Sequence, residues 1–319
     1  MKKSSNEGGE TMLYRYAHAT DRGMVREQNE DAIAIAEECG LALVADGMGG
    51  YNAGEVASGL AAEFLVTHLV EDLQQLRAGK AARGKDKAAS LRLLHALLRA
   101  RIDGVNDAII EAATIQPAFR GMGTTLAMLL FADRAAVTLH LGDSRIYRMR
   151  DDVLSLLTRD HSLLQEQIDA GVLTPSEARE SINRNFVTRA LGVDAVAEPE
   201  INEYDLEPGD LYLICSDGLP DMLSDEEIFD LLRGDAYAAR DESTSLDADG
   251  TEDEEITHDP SVAESARLEE TALKLVEAAN ARGGRDNVSV VLASAGWARS
   301  SDRLDDTSVD LRSPNRPAA

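Results

Sequence analysis

Apolar positions along the chain fall into two kinds of run. Short continuous stretches at 32–36, 41–45, 125–131, 135–141, 146–149, 210–215 and 287–293, rich in Ile, Val, Leu and small residues, predict β-strands. Longer stretches at 54–76, 87–116, 162–170, 175–181, 225–233 and 262–281 predict helices. Two helix starts are marked. Thr174-Pro175-Ser176-Glu177 supplies a capping residue, proline at the first helical position and glutamate at the third. Ser224-Asp225-Glu226-Glu227 repeats the capping box, and Gly234 closes that helix. The strands come in groups separated by helical pairs, without strict β-α-β alternation, which predicts antiparallel sheets with segregated helices.

Polar segments set the limits of the fold. Residues 1–12 read as a disordered lead, and 297–319 as a flexible tail. Residues 235–260 carry ten acids against one arginine and almost no large apolar side chain. Such a segment cannot bury enough surface to offset its ordering entropy, so it reads as a disordered acidic insert. One mixed α/β domain over 13–296 is expected between these limits, with no internal repeat.

Charge narrows the function. The 32 basic and 58 acidic residues leave a net charge of −26, which argues against nucleic acid or an anionic membrane as partner. Cys39 and Cys215 make neither a disulfide framework nor a zinc motif. No secretory signal and no apolar run of about 18 residues is present, so a cytoplasmic protein of a reducing compartment is expected.

The candidate chemistry lies at strand ends. Asp31 precedes "AIAIA", Asp46 follows "LALVA", Asp143 follows "VTLHLG", Asp217 follows "LYLICS" and Asp286 precedes "NVSVVLA". An aspartate at one strand end can simply start a turn. Five at the ends of the most apolar strands point to a shared site. Two carboxylates about 5 Å apart repel by roughly 3 kcal/mol at an effective dielectric near 20, so the cluster needs cations or shifted pKa values. An all-oxygen set suits Mg²⁺ or Mn²⁺ rather than zinc, and a pair of such ions activates water for phosphate ester hydrolysis.

The loop "DGMGGY" at 46–51 lacks the lysine of a P-loop, and Asn52 breaks a dinucleotide fingerprint; "GMGTTL" at 121–126 fails at Leu126. Its glycines let the backbone turn beside Asp46, where the Gly47 carbonyl is a candidate ligand. Arg26, four and five residues before Glu30 and Asp31, offers a planar fork for phosphate. Arg145 reads as a brace of the "GDSR" turn, and His161 as a structural residue. The serines of "GDSR" and "CSDGL" have no histidine beside them, against a serine hydrolase.

In order, "DRGMVREQNED" (21–31), "VADGMGGYNAGEVAS" (44–58), "GMGTTL" (121–126), "LGDSRIY" (141–147), "DHSLLQEQIDAG" with "NRNFVTRALG" (160–192), "LICSDGL" (213–219) and "GGRDNVSVVL" (283–292) resemble the metal-dependent type 2C Ser/Thr protein phosphatases, in particular the bacterial ones that oppose Hanks-type kinases. The resemblance covers about residues 13–294. It implies a four-layer α-β-β-α sandwich of two antiparallel sheets flanked by helices, with Mn²⁺ or Mg²⁺, two per active site, at one end. Asp46 would bridge the ions with help from the Gly47 carbonyl. Asp217 and Asp286 would hold one ion, and Asp31 would reach the other through water, with Glu30 and Asn287 in support. Asp143 with Asp217 matches a weaker third position. Arg26 matches the phosphate-binding arginine, so Arg26, Asp46 and Asp217 are the expected catalytic residues. Residues 160–191 match a flap beside the cleft.

The resemblance implies phosphorylated proteins as partners, a Ser/Thr kinase and its substrates among them, and a monomer. The sequence departs from the family's pattern at Tyr51 and Met48, each in place of a histidine, and at Ser181-Ile182-Asn183, where His-Pro usually precedes Arg-Asn. Two rivals accompany the phosphatase reading: a pseudophosphatase that binds phosphoproteins without turnover, and a partner-switching phosphatase acting on anti-sigma-factor antagonists.

Overall fold

Most strands of this protein are buried on both faces, and their alternating side chains sort into three cores. The structure, a computed structural model, describes residues 12–50, 53–78, 87–132, 134–174, 177–178, 181, 186–234 and 260–297. Eleven strands form two antiparallel sheets: β1 (Met12–Asp21), β2 (Asp31–Ala36), β3 (Leu41–Met48), β4 (Gly123–Thr124), β5 (Leu126–Ala132), β6 (Ala135–Leu141), β7 (Arg145–Arg150), β8 (Val153–Leu156), β9 (Glu200–Asp205), β10 (Leu211–Cys215) and β11 (Val288–Trp297). One sheet runs β1-β11-β10-β7-β8; the other runs β2-β3-β5-β6-β9, with β4 paired to β3. The helices are α1 (Ala53–Ala78), α2 (Lys87–Ile115), α3 (Leu163–Asp169), α4 (Asp225–Leu232) and α5 (Pro260–Ala281).

On β3, Leu41, Leu43 and Ala45 pack with α1 and α2, while Ala42 and Val44 face the other sheet. On β10, Leu211, Leu213 and Cys215 pack with α4 and α5, while Tyr212 and Ile214 face inward. The layers are therefore helix, sheet, sheet, helix, as expected. Antiparallel strands with one wet face alternate apolar and polar; these strands have no wet face and read as continuous apolar runs. Phe131 centres the inter-sheet core, stacked on Tyr14 at 4.4 Å and edge-on to Tyr212 at 5.5 Å.

Strands β1, β4, β8 and β9 are absent from the apolar pattern. Two boundaries also move: Met12, expected in the lead, pairs with Trp297, expected in the tail, at the last rung of β1 and β11. Of the helix expected at 175–181, Thr174 and Glu177 show the capping contacts: the Thr174 hydroxyl and amide both donate to Glu177 Oε2. The Ser224 capping box is complete, with Ser224 N donating to Glu227 Oε2 at 3.0 Å. The acidic insert, Tyr51 and residues 182–185 lie outside the described residues, apart from Pro260 at the start of α5.

Candidate active site

Asp31 and Asp46 face each other directly across the β2–β3 ladder, a like-charge cross-strand pair that opposes the pairing itself. The backbone around them is tightly held. Asp46 N donates to Thr125 Oγ1 at 3.1 Å, and its carbonyl accepts from Thr125 N and the Thr124 hydroxyl, both at 2.9 Å. Gly47 N donates to Glu30 O at 3.1 Å, and Ser58 Oγ donates to the same carbonyl at 2.5 Å. A β-carbon on Gly47 would lie 2.2 Å from Gly54 O and 2.5 Å from Glu30 O, so only glycine lets α1, β2 and β3 meet here.

Asp217 and Asp286 arrive from the other sheet, at the end of β10 and the start of β11. The Ser216 hydroxyl joins the two sheets: it donates to Asp31 Oδ2 at 2.8 Å and accepts from Ser289 N at 3.0 Å. A β-carbon on Gly218 would meet Asn287 O at 2.0 Å, which fixes the turn carrying Asp217 against β11. Asn287, only 5% exposed, ties down the preceding loop. Its Oδ1 accepts from Glu30 N at 2.8 Å, and its Nδ2 donates to Arg22 O at 3.0 Å and Gln28 O at 2.8 Å. That loop carries Arg26, whose Nη2 lies 2.6 Å from Asp286 Oδ2.

The electrostatics report the crowding. Burial, then the charges of Asp31, Asp217, Asp143 and Asp286, push Asp46 well above the usual carboxylate range. Asp217 is raised well above it too, by burial and then by Asp143, Asp221, Asp286 and Asp31. Asp31 rises to about 6 and Asp143 to about 7, with burial the leading cause in both. Asp46 thus feels the other four predicted aspartates, and Arg26 feels Asp286, Asp217 and Asp46 together. Glu30 borders the group; burial is the main cause of its raised pKa, and Asp286 and Glu55 add to it. Sequence reasoning missed Asp221, whose amide donates to Asp217 O at 2.9 Å. Its only sequence signal is the four-residue spacing from Asp217.

The donor set fits hard divalent cations. It is all oxygen and excess negative charge, and Asp31 Oδ1 and Asp217 Oδ1 are buried without a hydrogen-bond partner.

Among the described residues, the three side chains whose ligand atoms lie within 4.8 Å of one another are elsewhere: His140, His161 and Glu200. Their hydrogen bonds argue against a metal there. His161 Nδ1 accepts from Gly142 N at 3.2 Å, which leaves the ring proton on Nε2. His140 Nε2 lies 2.9 Å from the Arg159 carbonyl, which only accepts, so this nitrogen is protonated as well. Glu200 Oε2 lies 3.4 Å from His140 Nε2 and 4.0 Å from His161 Nε2, the latter buried without a hydrogen bond, and the rings stack at 4.6 Å. Burial lowers both imidazole pKa values, that of His161 to about 4. The two stacked imidazoles, held neutral by burial, brace the root of the 160–191 segment, the structural role expected for His161. Arg145 likewise braces its turn, donating to Asp160 at 2.7, 2.9 and 3.2 Å.

Comparison with known proteins agrees with this geometry. The model of the family described as "Protein phosphatase 2C" matches residues 22–248. The chain is 38% identical over 283 residues to the Mycobacterium tuberculosis serine/threonine protein phosphatase PstP, covering 89% of this chain and 45% of that one. It therefore spans about half the length of that relative. The serine/threonine phosphatase stp of Listeria innocua is 30% identical, with 86% of this chain and 92% of that one covered. The crystal structure of the PstP catalytic domain in complex with two manganese ions superposes with a TM-score of 0.67 at 35% identity, covering 90% of this chain and 100% of that one. The matched family model includes Arg26 and the strand ends bearing Asp31, Asp46, Asp143 and Asp217, and this chain belongs to the protein phosphatase 2C family.

Proposed function

We propose that this protein is a Mn²⁺- or Mg²⁺-dependent phosphatase of phosphoserine and phosphothreonine in proteins. The observation that carries this reading is the meeting of Asp31, Asp46, Asp143, Asp217 and Asp286 from two sheets, with orphaned carboxylate oxygens and one arginine aimed at them. Asp46, the Gly47 carbonyl, Asp217 and Asp286 would hold two ions, with Asp31 and Glu30 beside them and Asp143 toward a third position. When bound, such ions supply positive charge to phosphate oxygens and lower the pKa of water.

The protein's own groups do the positioning. Arg26 presents a guanidinium, half-exposed, that exchanges Asp286 for phosphate oxygens and stabilises their charge. Ser216 and Asn287 keep Asp31 and the Arg26 loop in place. Hydrolysis runs by direct attack of water on phosphorus. As the water oxygen bonds phosphorus, the bond to the serine or threonine oxygen of the substrate breaks, and that oxygen takes up a proton from water, since Met48 has none to give. Ser216, wholly buried and donating to Asp31, is out of reach as a nucleophile.

The finer reading is a monomeric, cytoplasmic enzyme that reverses a Ser/Thr kinase. Among the described residues no helix is long and apolar enough to cross a membrane. A pseudophosphatase would have lost ligands, and every predicted aspartate is present. The test is hydrolysis of an aryl phosphate and a phosphothreonine peptide in Mn²⁺, with and without chelator, by the native chain and Asp217→Asn. Chelation and the substitution should each abolish turnover; activity surviving both refutes the reading.

A further inference from the structure

Asp46 stands opposite Thr125, since Gly47 pairs with Thr124 on one side and Val44 with Ala127 on the other. The two residues of a hydrogen-bonded antiparallel rung exchange both of their N–H···O=C bonds. At this rung one of the two is altered. Thr125 N donates to Asp46 O at 2.9 Å, but Asp46 N donates to the side-chain Oγ1 of Thr125 at 3.1 Å. The hydroxyl takes the place of a backbone carbonyl, and Thr125 falls in the break between β4 and β5.

The same side chain touches the turn that carries Asp143. Thr125 Oγ1 lies 2.7 Å from Ser144 Oγ, one hydroxyl donating to the other, and both residues are buried. A β-carbon on Gly142, whose φ is +104°, would lie 2.6 Å from Thr125 Cγ2, so only glycine lets the turn seat on the threonine methyl. On its other side the turn is held by His161, whose N donates to Gly142 O at 2.8 Å. Thr125 therefore grips the backbone of Asp46 with the hydroxyl that also meets the neighbour of Asp143. Breaking either contact would leave a buried polar group without its partner, so the two backbones keep their spacing.

We propose that Thr125 and Ser144 are positioning residues, a two-hydroxyl link that sets Asp143 against Asp46 and so fixes the third cation position relative to the two-ion centre. This rests on the phosphatase reading above, which places cations on these aspartates, and adds how the positions are held in register.

The test is titration of the folded chain with Mn²⁺, counting free ion by electron paramagnetic resonance, so that each binding step is read without turnover. Ser144→Ala keeps the Asp46 bond; it should weaken the last and weakest step about fivefold, the factor of one ordinary hydrogen bond, and leave the first two within twofold. Thr125→Val should weaken every step at least fivefold, and Thr125→Ser should restore all of them to within about twofold. The double variant Thr125→Val with Ser144→Ala should be no weaker at the last step than Thr125→Val alone, because the two hydroxyls form one link. A role in folding alone would lower Tm in chelator and leave every affinity native. Native affinities in Thr125→Val and Ser144→Ala, losses that multiply in the double variant, or a native chain that hydrolyses aryl phosphate with no third step each refute the link and leave the phosphatase reading standing. Mn²⁺ binding without turnover refutes the phosphatase reading, and a native chain that neither binds Mn²⁺ nor hydrolyses aryl phosphate sinks both. Should Thr125→Val not fold, an unchanged last step in Ser144→Ala still overturns the link.

Discussion

Asn287 offers a direct test of how the loop bearing Arg26 is held. Its side chain makes three hydrogen bonds to the backbone of residues 22–30, at 2.8, 2.8 and 3.0 Å. It is only 5% exposed, so Asn287→Ala leaves one amide and two carbonyls without that partner. At a net value of about 1 kcal/mol per bond, the loss is about 3 kcal/mol. For a domain of this size that lowers Tm by roughly 6–12 °C. The same loop carries Arg26 and Glu30, so kcat/KM should fall by at least about tenfold even where the variant is fully folded. Asn287→Asp is the sharper control. It keeps the acceptor for Glu30 N but sets a carboxylate oxygen against the carbonyls of Arg22 and Gln28, and should be no more stable than the alanine variant. Urea unfolding followed by circular dichroism gives the stability, and aryl phosphate hydrolysis in saturating Mn²⁺ gives the kinetics. A stability loss under about 1 kcal/mol with unchanged kinetics would refute the reasoning.

Three further outcomes are expected. Gly47→Ala places a methyl group 2.2 Å from the Gly54 carbonyl oxygen, a backbone clash that should cost about 1–3 kcal/mol and weaken Mn²⁺ binding by calorimetry; normal affinity would show that the backbone yields freely there. Arg26→Ala should change stability by under about 1 kcal/mol, because its ion pair is half-exposed, yet cut kcat/KM about 100-fold; a small kinetic effect would remove Arg26 from phosphate binding. The native, chelator-treated protein holds protons on Asp31 and Asp143 more tightly than the unfolded chain does, with pKa values raised to about 6 and about 7. That stabilisation is present in mild acid and lost as pH rises through those values, so thermal scans in chelator should show Tm falling from about pH 5 to about pH 8. Mn²⁺ should raise Tm most at the upper end of that range, where it competes with the fewest protons, and a Tm rising with pH in chelator would contradict the assignment.

The layers and most of the site were legible in the sequence for one physical reason. Strands such as β3, β5, β6, β10 and β11 are buried on both sides, so each appears as an uninterrupted apolar run and each aspartate at its end stands out. The strands that escaped notice are those for which burial does not write such a run. On β1, Arg15 interrupts the pattern because it reaches Glu264 of α5 at 3.0 Å. On β9, an edge strand, "EINEYD" is mostly exposed. Asp221 escaped because it belongs to a turn, where aspartate is ordinary. The hydroxyls of Ser216 and Thr125 were invisible for another reason: their importance lies in contacts to residues 185 and 79 positions away.

The aspartates come from both sheets, and this gives the sandwich the mechanics of a clothes-peg. Asp31 and Asp46 sit on one blade, Asp217 and Asp286 on the other, and Asp143 in the turn that passes from one to the other. The stack of Tyr14, Phe131 and Tyr212 lies toward the opposite end, about 17 Å along β5 from its first residue. Any change in the thickness of that distant wedge alters how far the jaws open. Cation affinity is then a gauge of interior packing, and trimming Phe131 should shift it without touching a single ligand.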